Sequence, residues 1–72
     1  MMTPRLAVLR ELILDRIDGE WVTPSELAEE FGLRDYRGWL MTALLLERMA
    51  HQGLAEVRNP LSEGKRWFRR AA

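Results

Sequence analysis

The chain has 72 residues, an apolar fraction of 47% and a formal net charge of zero, with eleven basic and eleven acidic side chains. This length predicts one domain, and an apolar fraction this high excludes a disordered chain. The absence of cysteine excludes disulfides and thiolate metal sites, and the longest apolar runs, residues 6–9 and 43–46, are too short to cross a membrane. No signal peptide is apparent, so we expect a cytoplasmic protein.

The charges are distributed unevenly along the chain. Residues 1–33 carry three basic and seven acidic side chains, a net −4, whereas residues 34–72 carry eight basic and four acidic side chains, a net +4. Ten of the eleven basic residues are arginine, whose planar fork suits phosphate and guanine. The asymmetry indicates a polyanionic partner, although the neutral total argues against tight nucleic-acid binding.

The first predicted helix covers residues 4–18. Thr3 can cap its free amides, and Pro4 suits the first helical position. Gly19 is a natural left-handed terminator after the last turn. An apolar stripe at helical spacing gives this helix a structural role. The stripe comprises Leu6, Leu9, Leu12, Ile13 and Ile17.

Residues 20–22 have two interpretations. They are rich in strand formers and lie between Gly19 and Pro24. They predict either a short additional strand or a loop whose Trp21 fills the core, and the sequence favours neither.

The segment that follows contains the clearest local signal. Thr23, Pro24 and Glu26 form a capping-box pattern, which predicts a helix over residues 24–31. Gly32 supplies the positive φ that a tight turn needs. The sequence therefore predicts a short capped helix followed by a turn.

This helix and turn resemble a known family. The segment Leu-Ala-Glu-Glu-Phe-Gly-Leu at residues 27–33 resembles the first helix and turn of the winged helix-turn-helix family, in which a small residue, here Ala28, lets the second helix approach. The resemblance implies a mainly α fold with a small β-hairpin (α+β): three helices and an antiparallel wing of two or three strands. It also implies double-stranded DNA as the partner.

The third predicted helix covers residues 35–52, with Asp35 as its N-cap and Gly53 as its terminator. This stretch is about one helical turn longer than the resembled family usually shows, and a core position of the motif falls near Gly38. Either the turn extends through residues 34–38 or the helix itself is longer. The sequence therefore does not determine which residues of this helix face the solvent, because the assignment can shift by at least one position.

The middle of the third helix is unusually apolar. Only Thr42 is polar among residues 39–46, and Leu40, Leu44 and one of Leu46 or Met49 can lie in the core. Such a helix is either buried most of the way round or forms a protein interface, and the shortness of the chain favours the interface. That interface would expose Trp39, Met41 and Leu45.

Residues 54–70 are predicted to form a hairpin that resembles the wing, with a turn-rich segment between its strands. Either Trp67 or Phe68 should face the core, since successive strand residues point to opposite sides. The many basic residues are typical of a solvated surface or of phosphate contact, and the helix-turn-helix context favours phosphate contact. The expected phosphate contacts are Arg58, Lys65, Arg66 and Arg69.

The resemblance implies a small transcriptional or phage-type regulator. Base reading would fall to the start of the third helix, at Arg34, Tyr36 and Arg37, with Thr42 as a further contact. The competing hypothesis is a winged helix that docks with a partner protein or forms a homodimer through its apolar third helix. One histidine, His51, and no cysteine predict no metal site, and we find no catalytic set or cofactor motif, so we do not expect an enzyme.

Overall fold

The computed structural model describes residues 4–59 and 65–71. Three helices precede two strands: α1 (Pro4–Arg16), α2 (Pro24–Glu30), α3 (Tyr36–His51), β1 (Ala55–Arg58) and β2 (Trp67–Arg70). The strands pair antiparallel, with Ala55 opposite Arg70 and Arg58 opposite Trp67. The predicted combination of three helices and an antiparallel hairpin is confirmed at this level.

α1 ends at Arg16, two residues before the predicted end. The chain leaves the helix through a turn in which Gly19 has a φ of +82°. The expected cap at Thr3 lies outside the described residues. Arg16 joins the end of α1 to the next segment, because its guanidinium group donates to Glu30 at 2.6 Å and to Glu20 at 3.0 Å. These hydrogen bonds, that to Glu30 first, raise the pKa of Arg16 above its ordinary value.

The capping box of α2 is confirmed. The backbone N–H of Glu26 donates to the hydroxyl of Thr23 at 3.2 Å, and the backbone N–H of Thr23 donates to the Glu26 carboxylate at 3.3 Å. Gly32 has a φ of +75°, and the N–H of Leu33 donates to the carbonyl of Ala28 at 2.7 Å. The turn is therefore closed directly onto α2, which brings the start of α3 beside it.

α3 begins at Tyr36, so the turn does not extend through Gly38. Asp35 caps the helix by accepting from the N–H of Gly38 at 2.7 Å. A Cβ on Gly38 would lie 2.6 Å from the Cβ of Leu33, so the absent side chain permits this close approach. Gly38 thus lies on the buried face of α3, at a position where a side chain would clash with Leu33.

The observed rotation of α3 corrects its expected core face. Leu40 and Leu44 are exposed, whereas Leu45, which was expected at the interface, is only 6% exposed. The buried face follows the spacing of one side of a helix. It comprises Gly38, Thr42, Leu45, Leu46 and Met49.

Residues 20–22 form one isolated antiparallel bridge, between Val22 and Phe68, instead of a full strand. Val22 and Phe68 exchange hydrogen bonds of 2.9 and 2.8 Å, and both side chains are buried. Trp21 is only half-buried, so Val22 fills the core instead. Phe68, not Trp67, is the hairpin residue that faces inward. No helix in the described ranges has the length and apolarity that a membrane crossing requires.

Candidate nucleic-acid interface

Two neighbouring hollows lie on the surface of α2 and α3. Arg34 and Tyr36 line the hollow at the start of α3, and Lys65 and Arg66 line the hollow between α3 and the hairpin. The two hollows share Ser25, Glu29 and Trp39. Four of the predicted DNA contacts therefore border one continuous surface. We call this surface the α3–hairpin face, defined by Arg34, Tyr36, Trp39, Lys65 and Arg66.

The centre of the α3–hairpin face is aromatic. The indole N–H of Trp39 donates to the hydroxyl of Ser25 at 3.0 Å, which ties α3 to the first turn of α2. The ring of Tyr36 lies 5.8 Å from the ring of Trp39 at a tilt of 34°, and Tyr36 is 74% exposed. The hydrogen bond to Ser25 therefore holds the Trp39 ring in place, and the neighbouring Tyr36 ring extends into solvent.

Acidic side chains on the same face counterbalance its basic groups. Arg66 donates to both carboxylate oxygens of Glu47, with its Nη2 3.0 Å from Oε2. Glu29 lies between the two hollows. Arg34 and Lys65 are exposed and form no ion pair within the described ranges. Asp35 also lines the hollow of Arg34, and Glu26 lines the hollow of Lys65, so each end of the face carries a carboxylate as well as an unpaired basic group.

Arg58 and Arg69 lie on the other side of the hairpin. Side chains alternate along a strand, so Arg69 faces away from its buried neighbour Phe68. Its guanidinium carbon lies 4.6 Å from the centroid of the Trp21 ring, and it donates to Glu56 at 2.7 Å. Arg58 lies 5.1 Å from the centroid of Trp21. These two arginines stack on the protein itself, and the predicted phosphate contacts of the hairpin do not share one surface.

Two predicted base contacts lie elsewhere. Thr42 is 0% exposed and donates to the carbonyl of Gly38 at 2.9 Å, so its prediction as a base contact is wrong. Arg37 is exposed, but it follows the helical stripe of Met41 and Leu44, on the opposite flank of α3 from Trp39. Helical periodicity places Arg37 beside the apolar surface described next.

The apolar residues expected at an interface also separate. Leu45 belongs to the core, Trp39 to the α3–hairpin face, and Met41 to a groove of about 560 Å³ between α1 and α3. The sequence analysis missed the α1 side of this groove, where Val8 is 61% and Leu12 is 49% exposed. Their spacing of four residues was the signal that could have found them.

No group of three or more histidine, aspartate or glutamate side chains in the described ranges is arranged to hold a metal ion. The arrangement instead offers fixed aromatic rings and exposed cationic groups, which suit binding. Comparison with known proteins finds no matching protein-family model, no matching curated protein and no matching solved structure.

Proposed function

We propose that this chain is a winged helix module that binds double-stranded DNA through its α3–hairpin face, as a small regulator of transcription. One observation carries the proposal. Arg34 precedes the N-cap of α3, Tyr36 begins that helix, and Lys65 and Arg66 immediately precede β2, yet all four border one surface. The order of helices, the closed turn and the hairpin support the winged helix assignment.

The basic groups of this face divide into two roles. Lys65 and Arg66 contact phosphates, which position the module without reading sequence. Arg34 and Tyr36, at the start of α3, reach base edges in the major groove. Arg58 and Arg69 do not contact DNA in this arrangement, because they stack against Trp21 on the other side of the hairpin.

The charge balance of the face sets the strength of binding. Each neutralised phosphate contributes about 0.9 to the slope of log affinity against log salt concentration. The free charge of Lys65 therefore gives a slope of about −1, and Arg66, which is paired with Glu47, adds less than a full unit. Four carboxylates on the same surface, Glu26, Glu29, Asp35 and Glu47, repel phosphate, so binding is modest and is lost readily as salt increases.

The test is fluorescence anisotropy with labelled duplexes from a random pool, titrated with salt. The unaltered chain forms a complex at low salt, and Lys65→Ala weakens it on every duplex and reduces the steepness of the salt slope by about one. Arg70→Ala is the charge-matched control, since Arg70 is exposed at the other end of β2. The absence of a complex with any duplex at low salt contradicts the proposal.

A second function, docking with protein, is favoured by a different observation. The groove between α1 and α3 is lined by seven apolar residues and one arginine, Arg5. It lies on the opposite flank of α3 from Trp39, so protein docking leaves the α3–hairpin face accessible.

A further inference from the structure

Three of the four carboxylates on the α3–hairpin face already accept hydrogen bonds from the protein itself. Glu26 completes the capping box of α2, and Asp35 caps α3. Glu47 accepts from Arg66. Glu29 is exposed, and its side chain forms no hydrogen bond or ion pair in the described part of the chain. Within residues 4–59 and 65–71, Glu29 is therefore the one carboxylate of this face that remains available to a partner.

The position of Glu29 is unfavourable for the helix that carries it. Glu29 lies in the last turn of α2, where the helix carbonyl groups give a partial negative charge that repels a carboxylate. Glu26 lies three residues earlier on the same side of the helix and adds a second negative charge. Residues 24–30 contain no basic side chain that would offset the two charges. Stabilisation of α2 therefore does not explain a glutamate at this position.

Glu29 shares a hollow with an unpaired arginine. Both Glu29 and Arg34 line the hollow at the start of α3. They have opposite charges, yet no ion pair joins them in the described part of the chain. The hollow therefore presents an arginine fork, which only donates, and a carboxylate, which only accepts, to the same partner. A partner that matches both groups must offer acceptors and a donor close together.

A G·C base pair offers this combination in the major groove. Guanine exposes two acceptors, N7 and O6, that match an arginine fork, and cytosine exposes its N4 amino group, which donates to a carboxylate. The other bases place an acceptor where the carboxylate would lie: O4 in thymine, O6 in guanine and N7 beside the amino group in adenine. A carboxylate in this hollow therefore favours cytosine by contact and disfavours the other bases by repulsion.

We propose that Glu29 is a specificity-determining residue that accepts a hydrogen bond from the N4 amino group of a cytosine in the major groove. The inference rests on the proposed binding of DNA to the α3–hairpin face. It adds α2 to the elements that read bases, which the proposed function places at the start of α3. It also gives the free carboxylate a function on a surface where it otherwise only weakens phosphate contact.

A cytosine analogue tests this contact. Each cytosine of a duplex enriched from a random pool is replaced in turn by pyrimidin-2-one, which lacks the 4-amino group and leaves the partner guanine in place. We expect the affinity of the unaltered chain, measured by fluorescence anisotropy, to fall about tenfold at one position. Glu29→Ala should bind the original and the substituted duplex with nearly equal affinity. Comparing the two proteins on the same duplexes removes any effect of the analogue on duplex stability.

Two further measurements separate base contact from net charge and from folding. Glu29→Ala should bind scrambled duplexes more tightly than the unaltered chain, because a charge that repels phosphate is removed. Asp15→Ala is the charge-matched control, since Asp15 is exposed on α1, has no ion pair among the described residues and lines neither hollow. It should keep the cytosine preference. Urea denaturation of Glu29→Ala should give a free energy of unfolding no lower than that of the unaltered chain.

The outcomes distinguish this inference from the proposed function. The absence of a complex with any duplex removes both. A complex that is equally strong with and without the amino group at every cytosine overturns the inference and leaves DNA binding intact. The same conclusion follows if Glu29→Ala still loses affinity on the substituted duplex, or if Asp15→Ala abolishes the cytosine preference as well.

Discussion

Arg66 and Glu47 form a two-point ion pair that joins the hairpin to α3 across the centre of the α3–hairpin face. Arg66 donates from both Nε and Nη2, one to each carboxylate oxygen of Glu47. Both side chains are partly exposed, so the pair contributes at most about 1 kcal/mol to stability. Its larger consequence is electrostatic, because it neutralises the one arginine at the centre of the surface that we assign to DNA.

Replacing Glu47 should therefore strengthen DNA binding. Glu47→Gln removes a negative charge and frees Arg66, so we expect the affinity to rise about tenfold and the salt slope to steepen by about one. Fluorescence anisotropy at several salt concentrations measures both quantities. Glu56→Gln is the matched control, since it releases Arg69 on the other side of the hairpin. Equal gains for both variants would indicate a net-charge effect with no defined face.

Arg34→Ala should reduce sequence discrimination more than it reduces overall affinity. A guanidinium group on a guanine edge contributes about 1–3 kcal/mol of discrimination, which is lost when the side chain is truncated. The measurement is the ratio of affinities for a duplex enriched from a random pool and for a scrambled duplex. Lys65→Ala should leave that ratio unchanged while it weakens both complexes. An unchanged ratio for Arg34→Ala would remove Arg34 from base reading.

Arg69 and Lys65 should behave in opposite ways. Arg69→Ala loses the contact with Trp21 and the ion pair with Glu56, so we expect the free energy of unfolding to fall by about 1 kcal/mol. DNA affinity should be unaffected. Lys65→Ala should weaken DNA binding and leave stability within about 0.5 kcal/mol of the unaltered chain. Urea denaturation and anisotropy on the same samples check this, and a loss of DNA affinity in Arg69→Ala would place that side of the hairpin at the interface.

Gly38→Ala should destabilise the chain, contrary to ordinary helix propensity. Alanine stabilises a helix interior by about 1 kcal/mol relative to glycine. Here the new Cβ would lie 2.6 Å from the Cβ of Leu33 and 2.9 Å from Asp35 Oδ1. We expect the clash to dominate, with a net loss of about 1–3 kcal/mol.

Urea denaturation measures the effect of Gly38→Ala. Ala43→Gly is the reciprocal control in the same helix, with an expected loss of about 1 kcal/mol from propensity alone. A Gly38→Ala variant more stable than the unaltered chain would show that the Leu33 side chain can move away from the new Cβ without loss of stability. In that case the close approach of α3 to Leu33 would not require glycine.

Local signals in the sequence predicted the three helices and the hairpin, although α1 ends two residues before its predicted end. The capping box at Thr23, the glycines that follow α2 and α3, and the Asp35 cap act through neighbours within a few residues, so each was predicted, and the capping box was predicted with its partner Glu26. The alternation of strand side chains predicted that one of Trp67 and Phe68 would be buried, but the choice of Phe68 depended on its pairing with Val22. That pairing joins positions far apart in the chain.

Tertiary structure alone decided which surfaces exist. The apolar run of α3 fits more than one rotation, and in the folded chain α3 places Gly38 against Leu33, buries Thr42 and Leu45 and exposes Leu44. The number of basic residues is likewise known from the sequence, but the sequence did not reveal that Arg66 and Arg69 pair with carboxylates on opposite sides of the hairpin. Charge is a property of each residue, whereas its availability to a partner depends on neighbours that only folding brings together.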